Sequence, residues 1–119
     1  MVTVIIPALN EEKTVRQVVA LVNRAAQVSE VIVVDDKSMD ATVDEARKEG
    51  ATVITSTKLG KGASMKDGVL VAKNEILVFL DADIATYPDN IIELLSAPII
   101  KDEADFVKSF FSRQAGRVT

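Results

Sequence analysis

Three apolar runs with almost no polar interruption set the terms for this chain: "VTVIIPAL" at 2–9, "EVIVVDD" at 30–36 and "EILVFLDAD" at 75–83. Each is far shorter than the roughly 20 residues that a membrane-spanning helix needs, and each is rich in Val, Ile or Phe. A strand wetted on one face alternates polar and apolar residues. A run that does not alternate must be covered on both faces. Two further runs, "ATVITS" at 51–56 and "ADFVKSFF" at 104–111, complete the predicted strands.

Between the strands the pattern turns helical. Val15, Val18, Val19, Val22, Ala25 and Ala26 recur on one face. Asp40 or Thr42 can cap a helix that carries Val43 and Ala46 and stops at Gly50. Met65, Val69 and Ala72 predict a third helix after "GKG", and Pro88 opens a fourth that turns Ile91, Ile92, Leu94 and Leu95 to the sheet. The order β-α-β-α-β-α-β-α-β predicts an α/β fold, with a mostly parallel sheet, right-handed crossovers and helices on both faces. No linker, repeat or low-complexity segment divides residues 1–119, which read as a single domain.

The chain contains neither Cys nor His. That excludes a disulfide framework, a thiolate metal site, a thiol nucleophile and an imidazole base, leaving carboxylates, lysines, hydroxyls and backbone amides for any chemistry. A formal net charge of −4, a single Tyr and no Trp speak against a nucleic-acid surface. No run is long enough to span a membrane and no targeting segment is visible ahead of the first strand, so a cytoplasmic location is expected.

Ligands of parallel α/β sheets bind beyond the carboxyl ends of the strands, and here those ends carry "PALNEE", "DDKSMDAT" and "DADIAT". Asp81 and Asp83, two residues apart after the fourth strand, can hold a hard divalent cation, Mg2+ or Mn2+. The competing reading makes Asp83 a turn or cap residue and Asp81 a solvated one. Glu11 and Glu12 can hold ribose hydroxyls or simply occupy a first helical turn favoured by the helix dipole. In "LGKGASMKDG" at 59–68 the glycines let backbone approach a phosphate and Lys61 can reach a diphosphate, unless the loop is only a surface turn. It is not a P-loop, because Gly62 follows Lys61 where Ser or Thr is required.

The stretches "VIIPALNEEKTV", "VIVVDDKSMDAT", "GKGASMKDGV" and "LVFLDADIATYPDNI" together resemble, in matching order, the motifs of GT-A fold, family 2-type glycosyltransferases. The tail "FVKSFFSRQAGRVT" resembles the acceptor segment of the glucosyl-3-phosphoglycerate synthase family within that group. The resemblance implies a Rossmann-like donor-binding half in residues 1–119, continued further along the protein. It assigns Pro7, Ala8, Leu9 and Glu11 to the nucleoside, with Asp35 and Asp36 beside the base, Asp36 standing where those synthases often have Ser. It places Lys61 at the diphosphate, Asp81, Ala82 and Asp83 at the nucleotide-sugar, and the metal on Asp83 with Asp81. Gly116, Arg117 and Thr119 would hold the acceptor's phosphate and carboxylate.

The activity implied by the resemblance is a metal-dependent transfer of a hexose, glucose foremost, from a UDP- or GDP-sugar to a small anionic acceptor such as 3-phosphoglycerate. Asp83 and Lys61 would carry the chemistry, and retention of anomeric configuration is implied. The histidine that usually completes the family's metal site is absent, and Ala82 replaces a common Ser. Polyprenyl-phosphate sugar synthases share the first four motifs and differ at the tail. A non-catalytic nucleotide-sugar-binding fragment is the non-enzymatic reading, and a homodimer is the assembly to test. A haloacid-dehalogenase-type phosphatase also carries paired aspartates, but after its first strand, whereas here they follow the fourth.

Overall fold

A computed structural model describes residues 1–84 and 86–100, the last three by backbone alone. The strands are β1 (Val2–Ala8), β2 (Val28–Asp35), β3 (Thr52–Thr55) and β4 (Ile76–Phe79), and the helices are α1 (Val15–Asn23), α2 (Thr42–Lys48), α3 (Lys61–Val71) and α4 (Ile91–Ile100). The strands form one parallel sheet in the order β3-β2-β1-β4. The predicted strand "ADFVKSFF" lies outside the described residues.

β1 sits between two partners and is buried along its whole length, which is why its sequence does not alternate. Val2, Val4 and Ile6 join Val31, Val33 and Val78 in a cluster that also holds Val15, Val18, Val19 and Val22 of α1, Ala46 of α2, and Ile91, Ile92 and Leu95 of α4. Ile5, Ile32, Val34 and Phe79 form a second cluster, against which Met65 of α3 and Ala72 pack. The period of two along β1 thus assigns alternate residues to opposite layers. Each large side chain so buried contributes about 1.5–3 kcal/mol relative to exposure.

Several predicted boundaries shift for identifiable reasons. α1 ends at Asn23, so Ala25 is half-buried beyond the helix and Ala26 is exposed; the Val28 amide donates to the Ala25 carbonyl (3.1 Å) and turns the chain into β2. α4 begins at Ile91, with the Pro88 carbonyl accepting from the Ile91 amide (3.0 Å) as its opening turn. Leu94, expected against the sheet, is 52% exposed.

The largest correction concerns α3, whose buried residues are Ser64 and Gly68, while Val69 is 43% exposed. The reason is the closeness of the helix to β1: a Cβ on Gly68 would lie 2.5 Å from Ile5 Cγ2. Only small residues can line such a contact. The helix therefore shows the sheet its small side chains, with larger Met65 beside them.

Candidate functional site

The loops beyond β1 and β2 are laced together. Asn10 and Lys37 adopt left-handed backbone (φ 54° and 62°), which turns the two chains toward each other. The Asn10 amide donates to Ser38 Oγ (2.8 Å), the Met39 amide to Asn10 Oδ1 (2.8 Å), the Glu11 amide to Thr42 Oγ1 (2.8 Å) and the Ala41 amide to Glu12 Oε2 (3.0 Å). Asp40 accepts from the Thr42 hydroxyl and amide and from the Glu12 amide. Those bonds, the Thr42 hydroxyl first, hold its carboxyl below the usual carboxylate range. Asp40 thus braces the turn that leads into α2, but neither it nor Thr42 is the predicted cap: the N-cap is Ala41, which has no side-chain capping bond.

A second brace holds the segment before α3. Asp67, on that helix, accepts from the Thr57 amide (2.7 Å) and hydroxyl (3.0 Å), and Ser56 Oγ donates to the Lys58 carbonyl (2.6 Å). The Thr57 amide is the main cause of a lowered Asp67 pKa. Gly60 takes φ 103°, open to glycine and strained for other residues, and its amide donates to Asp36 Oδ2 (3.1 Å). Lys61 follows as the first residue of α3.

The third wall is the segment after β4. The Leu80 amide still bonds the Ile5 carbonyl (3.1 Å), after which the Asp81 amide donates to the Tyr87 hydroxyl (2.8 Å) and Thr14 Oγ1 donates to the Ala82 carbonyl (2.7 Å). Asp81 is thereby turned to meet the Lys61 ammonium in an ion pair, its side chain only 12% exposed against 45% for Lys61.

These walls enclose a pocket of about 290 Å³ lined by Pro7, Ala8, Leu9, Glu11, Asp36, Gly60, Lys61, Ser64, Asp81, Ala82 and Asp83. Most residues expected at a nucleotide-sugar from the sequence therefore meet in one place. Asp35 does not: it is buried, and its carboxylate accepts from the Ser38 amide (3.1 Å), so it builds the turn instead. Gly116, Arg117 and Thr119 lie outside the described residues. Sequence reasoning placed the glycines of the 59–68 loop at the ligand but passed over Ser64 as a lining residue and Thr14 and Tyr87 as supports. Only the lone Tyr close after "DAD" offered a signal, since a buried tyrosine hydroxyl needs a partner.

Electrostatics restrict what the pocket can take. Among the described lining residues, Glu11, Asp36, Asp81 and Asp83 set carboxylates against the single ammonium of Lys61. A diphosphate would be repelled unless a cation accompanied it. No group of three or more His, Cys, Asp or Glu residues able to hold a metal occurs among the described residues. The oxygen donors of Asp81 and Asp83 nonetheless fit Mg2+ or Mn2+ of the kind held by one or two carboxylates together with substrate phosphates.

A parallel α/β sheet with an acidic, lysine-containing pocket at its carboxyl edge is suited to an anionic ligand accompanied by a cation. Residues 3–116 match the Glycosyl transferase family 2 domain, and the chain belongs to that family. It is 30% identical over 123 residues to glucosyl-3-phosphoglycerate synthase of Mycobacterium tuberculosis, covering 94% of this chain and 38% of that one. It is likewise 30% identical over 121 residues to the Petrotoga mobilis glucosyl-3-phosphoglycerate synthase, covering 90% and 37%. The crystal structure of the M. tuberculosis enzyme superposes with a TM-score of 0.80 at 28% identity, over 87% of this chain and 41% of that one. The same enzyme has been solved with Mn2+, UDP-glucose and phosphoglyceric acid (TM-score 0.80, 28% identity, 87% and 40% coverage). The chain thus spans about two fifths of the length of these relatives. No helix among the described residues is long and apolar enough to cross a membrane.

Proposed function

We propose that the pocket binds the donor of a metal-dependent hexosyl transfer, a UDP- or GDP-hexose with glucose foremost, and that the acceptor is a small phosphorylated acid such as 3-phosphoglycerate. The observation that carries this reading is the convergence of Glu11, Asp36, Lys61, Asp81 and Asp83 on one pocket from separate loops at the carboxyl edge of the sheet. Likeness to glucosyl-3-phosphoglycerate synthases, including one bound to Mn2+ and UDP-glucose, supports it.

In this reading Pro7, Ala8 and Leu9 form the apolar floor under the nucleoside, and Glu11 accepts from the ribose diol. Asp81 and Asp83 hold Mg2+ or Mn2+, which when bound offsets charge on the diphosphate. As the anomeric C–O bond to the phosphate breaks and a C–O bond to the acceptor's hydroxyl oxygen forms, negative charge grows on the departing nucleoside diphosphate, whose phosphate oxygen takes up the hydroxyl proton. Lys61 is placed to stabilise that charge, moving from Asp81 to the phosphate oxygens. Arg117, with Gly116 and Thr119, would fix the acceptor's anionic groups through a two-pronged guanidinium contact. Residues 1–119 form the donor-binding domain.

Calorimetric titration with UDP-glucose, with and without Mn2+, tests the donor site. Asp83→Ala should remove the Mn2+-dependent gain in affinity and leave the protein folded, since it opens no core cavity. Equal affinity of the mutant and the parent in saturating Mn2+ would sink the metal assignment.

A further inference from the structure

Ser64 is 1% exposed, and its hydroxyl has no hydrogen-bond partner among the described residues although it lines the pocket. A buried hydroxyl left in that state is costly, and in a native fold it calls for a partner such as a water, an ion or a bound ligand. The close approach of α3 to β1 sets where Ser64 lies. Gly68 rests on Ile5, and α3 runs back along β1. Four helical residues advance about 6 Å and two strand residues about 6.6 Å, which carries Ser64 to the level of Pro7, another residue lining the pocket.

A second orphan stands beside it. Asp36 Oδ1 is buried without a partner among the described residues, while Oδ2 accepts from the Gly60 amide. The Gly60 carbonyl in turn accepts from the Ser64 amide (3.1 Å), so a single residue separates the two orphans. One is an acceptor and the other a donor, and both line the same pocket.

Resting on the donor-site reading above, we infer that Ser64 is a nucleobase-specificity residue, donating to a base carbonyl while Asp36 accepts from the adjacent ring N–H. That N–H beside a C=O is the feature shared by uracil and guanine. At the same ring position cytosine and adenine present an unprotonated nitrogen, which the Asp36 carboxylate repels. A site built on buried polar groups rejects a ligand that leaves them unpaired.

The test is calorimetry of UDP, N3-methyl-UDP and CDP, each with Mg2+, on the parent chain and on Ser64→Ala. The parent should prefer UDP to both analogues, and Ser64→Ala should weaken UDP roughly three- to tenfold. The ligand-free melting temperature of Ser64→Ala should be unchanged or higher, because the substitution removes an unpaired buried hydroxyl; a structural serine would lower it. Unchanged UDP affinity in Ser64→Ala, or CDP bound by the parent as tightly as UDP, would overturn the inference while leaving the donor site standing. If the parent bound no nucleotide, the donor-site reading would fall and take this inference with it.

Discussion

Gly68 of α3 lies directly on Ile5 of β1, so close that an added Cβ would meet Ile5 Cγ2 at 2.5 Å and Cδ1 at 3.3 Å. In an open helix Gly68→Ala would gain about 1 kcal/mol of propensity. Here overpacking costs about 1–3 kcal/mol, and the collision partner is a fully buried strand residue that cannot move aside. Gly68→Ala should therefore lower stability, by up to about 2 kcal/mol, in urea denaturation. In an Ile5→Ala background the same change should be neutral or stabilising, because the new methyl enters vacated space. Additive effects in that double-mutant cycle would tell against the contact.

Lys61 should have opposite effects on two ligands. Its ammonium is paired with Asp81, so it competes with a divalent cation for that carboxylate when no nucleotide is present. Once a diphosphate is bound it becomes an additional positive contact. Lys61→Ala is expected to tighten Mn2+ binding to the nucleotide-free chain a few-fold and to weaken UDP-glucose by tenfold or more, on the order of 1–4 kcal/mol of lost interaction. Electron paramagnetic resonance of free Mn2+ reads the first effect and calorimetry the second. Loss of both affinities together would mean that Lys61 only supports the fold.

Asp67 predicts a feature of the acid limb of stability. Its folded pKa is lowered, chiefly by the Thr57 amide. A carboxyl whose folded pKa lies below its unfolded value, about 3.9, contributes stability that is complete above the unfolded value and lost as pH falls through the folded one. The parent should thus lose melting temperature more steeply below pH 4 than Asp67→Asn does, while at pH 7 the variant melts slightly lower. Parallel profiles would remove Asp67 as the brace of the segment that presents Gly60 and Lys61.

If 3-phosphoglycerate is the acceptor, as proposed above, Arg117→Ala in a protein extended to the full length of its relatives should raise the acceptor's apparent KM, by roughly 2–5 kcal/mol if the ion pair is desolvated, and leave the donor KM unchanged. Arg117→Lys should recover part of the loss, because a point charge cannot reproduce the planar fork. Steady-state kinetics on protein with measurable turnover decides it. Equal rises in both KM values would move Arg117 to the diphosphate.

The sheet and the position of the pocket were legible because they depend on features written locally. The unbroken apolar run of β1 requires cover on two faces, and the aspartates that follow "ILVFL" must lie at the edge where that cover ends. What local pattern could not supply was distance between elements. Ser64 looks like an ordinary helix residue, and only the approach of α3 to β1, made possible by Gly68, buries its hydroxyl against the pocket. Val69 looks like a core residue for the converse reason: the same approach rotates small side chains inward and leaves Val69 at the surface. Asp35 and Asp36 are chemically identical neighbours, but Asp35 ends β2 and accepts from the Ser38 amide, whereas Asp36, one residue past the strand, lines the pocket.

The strand order has a consequence for synthesis on the ribosome. β1 is made before its neighbours yet lies between β2 and β4, so its Ile5–Phe79 pairing cannot form until a long stretch of later chain has emerged. At roughly 5–20 residues per second that delay is on the order of ten seconds. During it the most apolar segment of the sheet has one bare edge, open to pairing with any extended chain nearby. Nascent chains halted before β4 should consequently be the form most dependent on chaperones, whereas release just beyond Phe79 closes that edge with the chain's own strand.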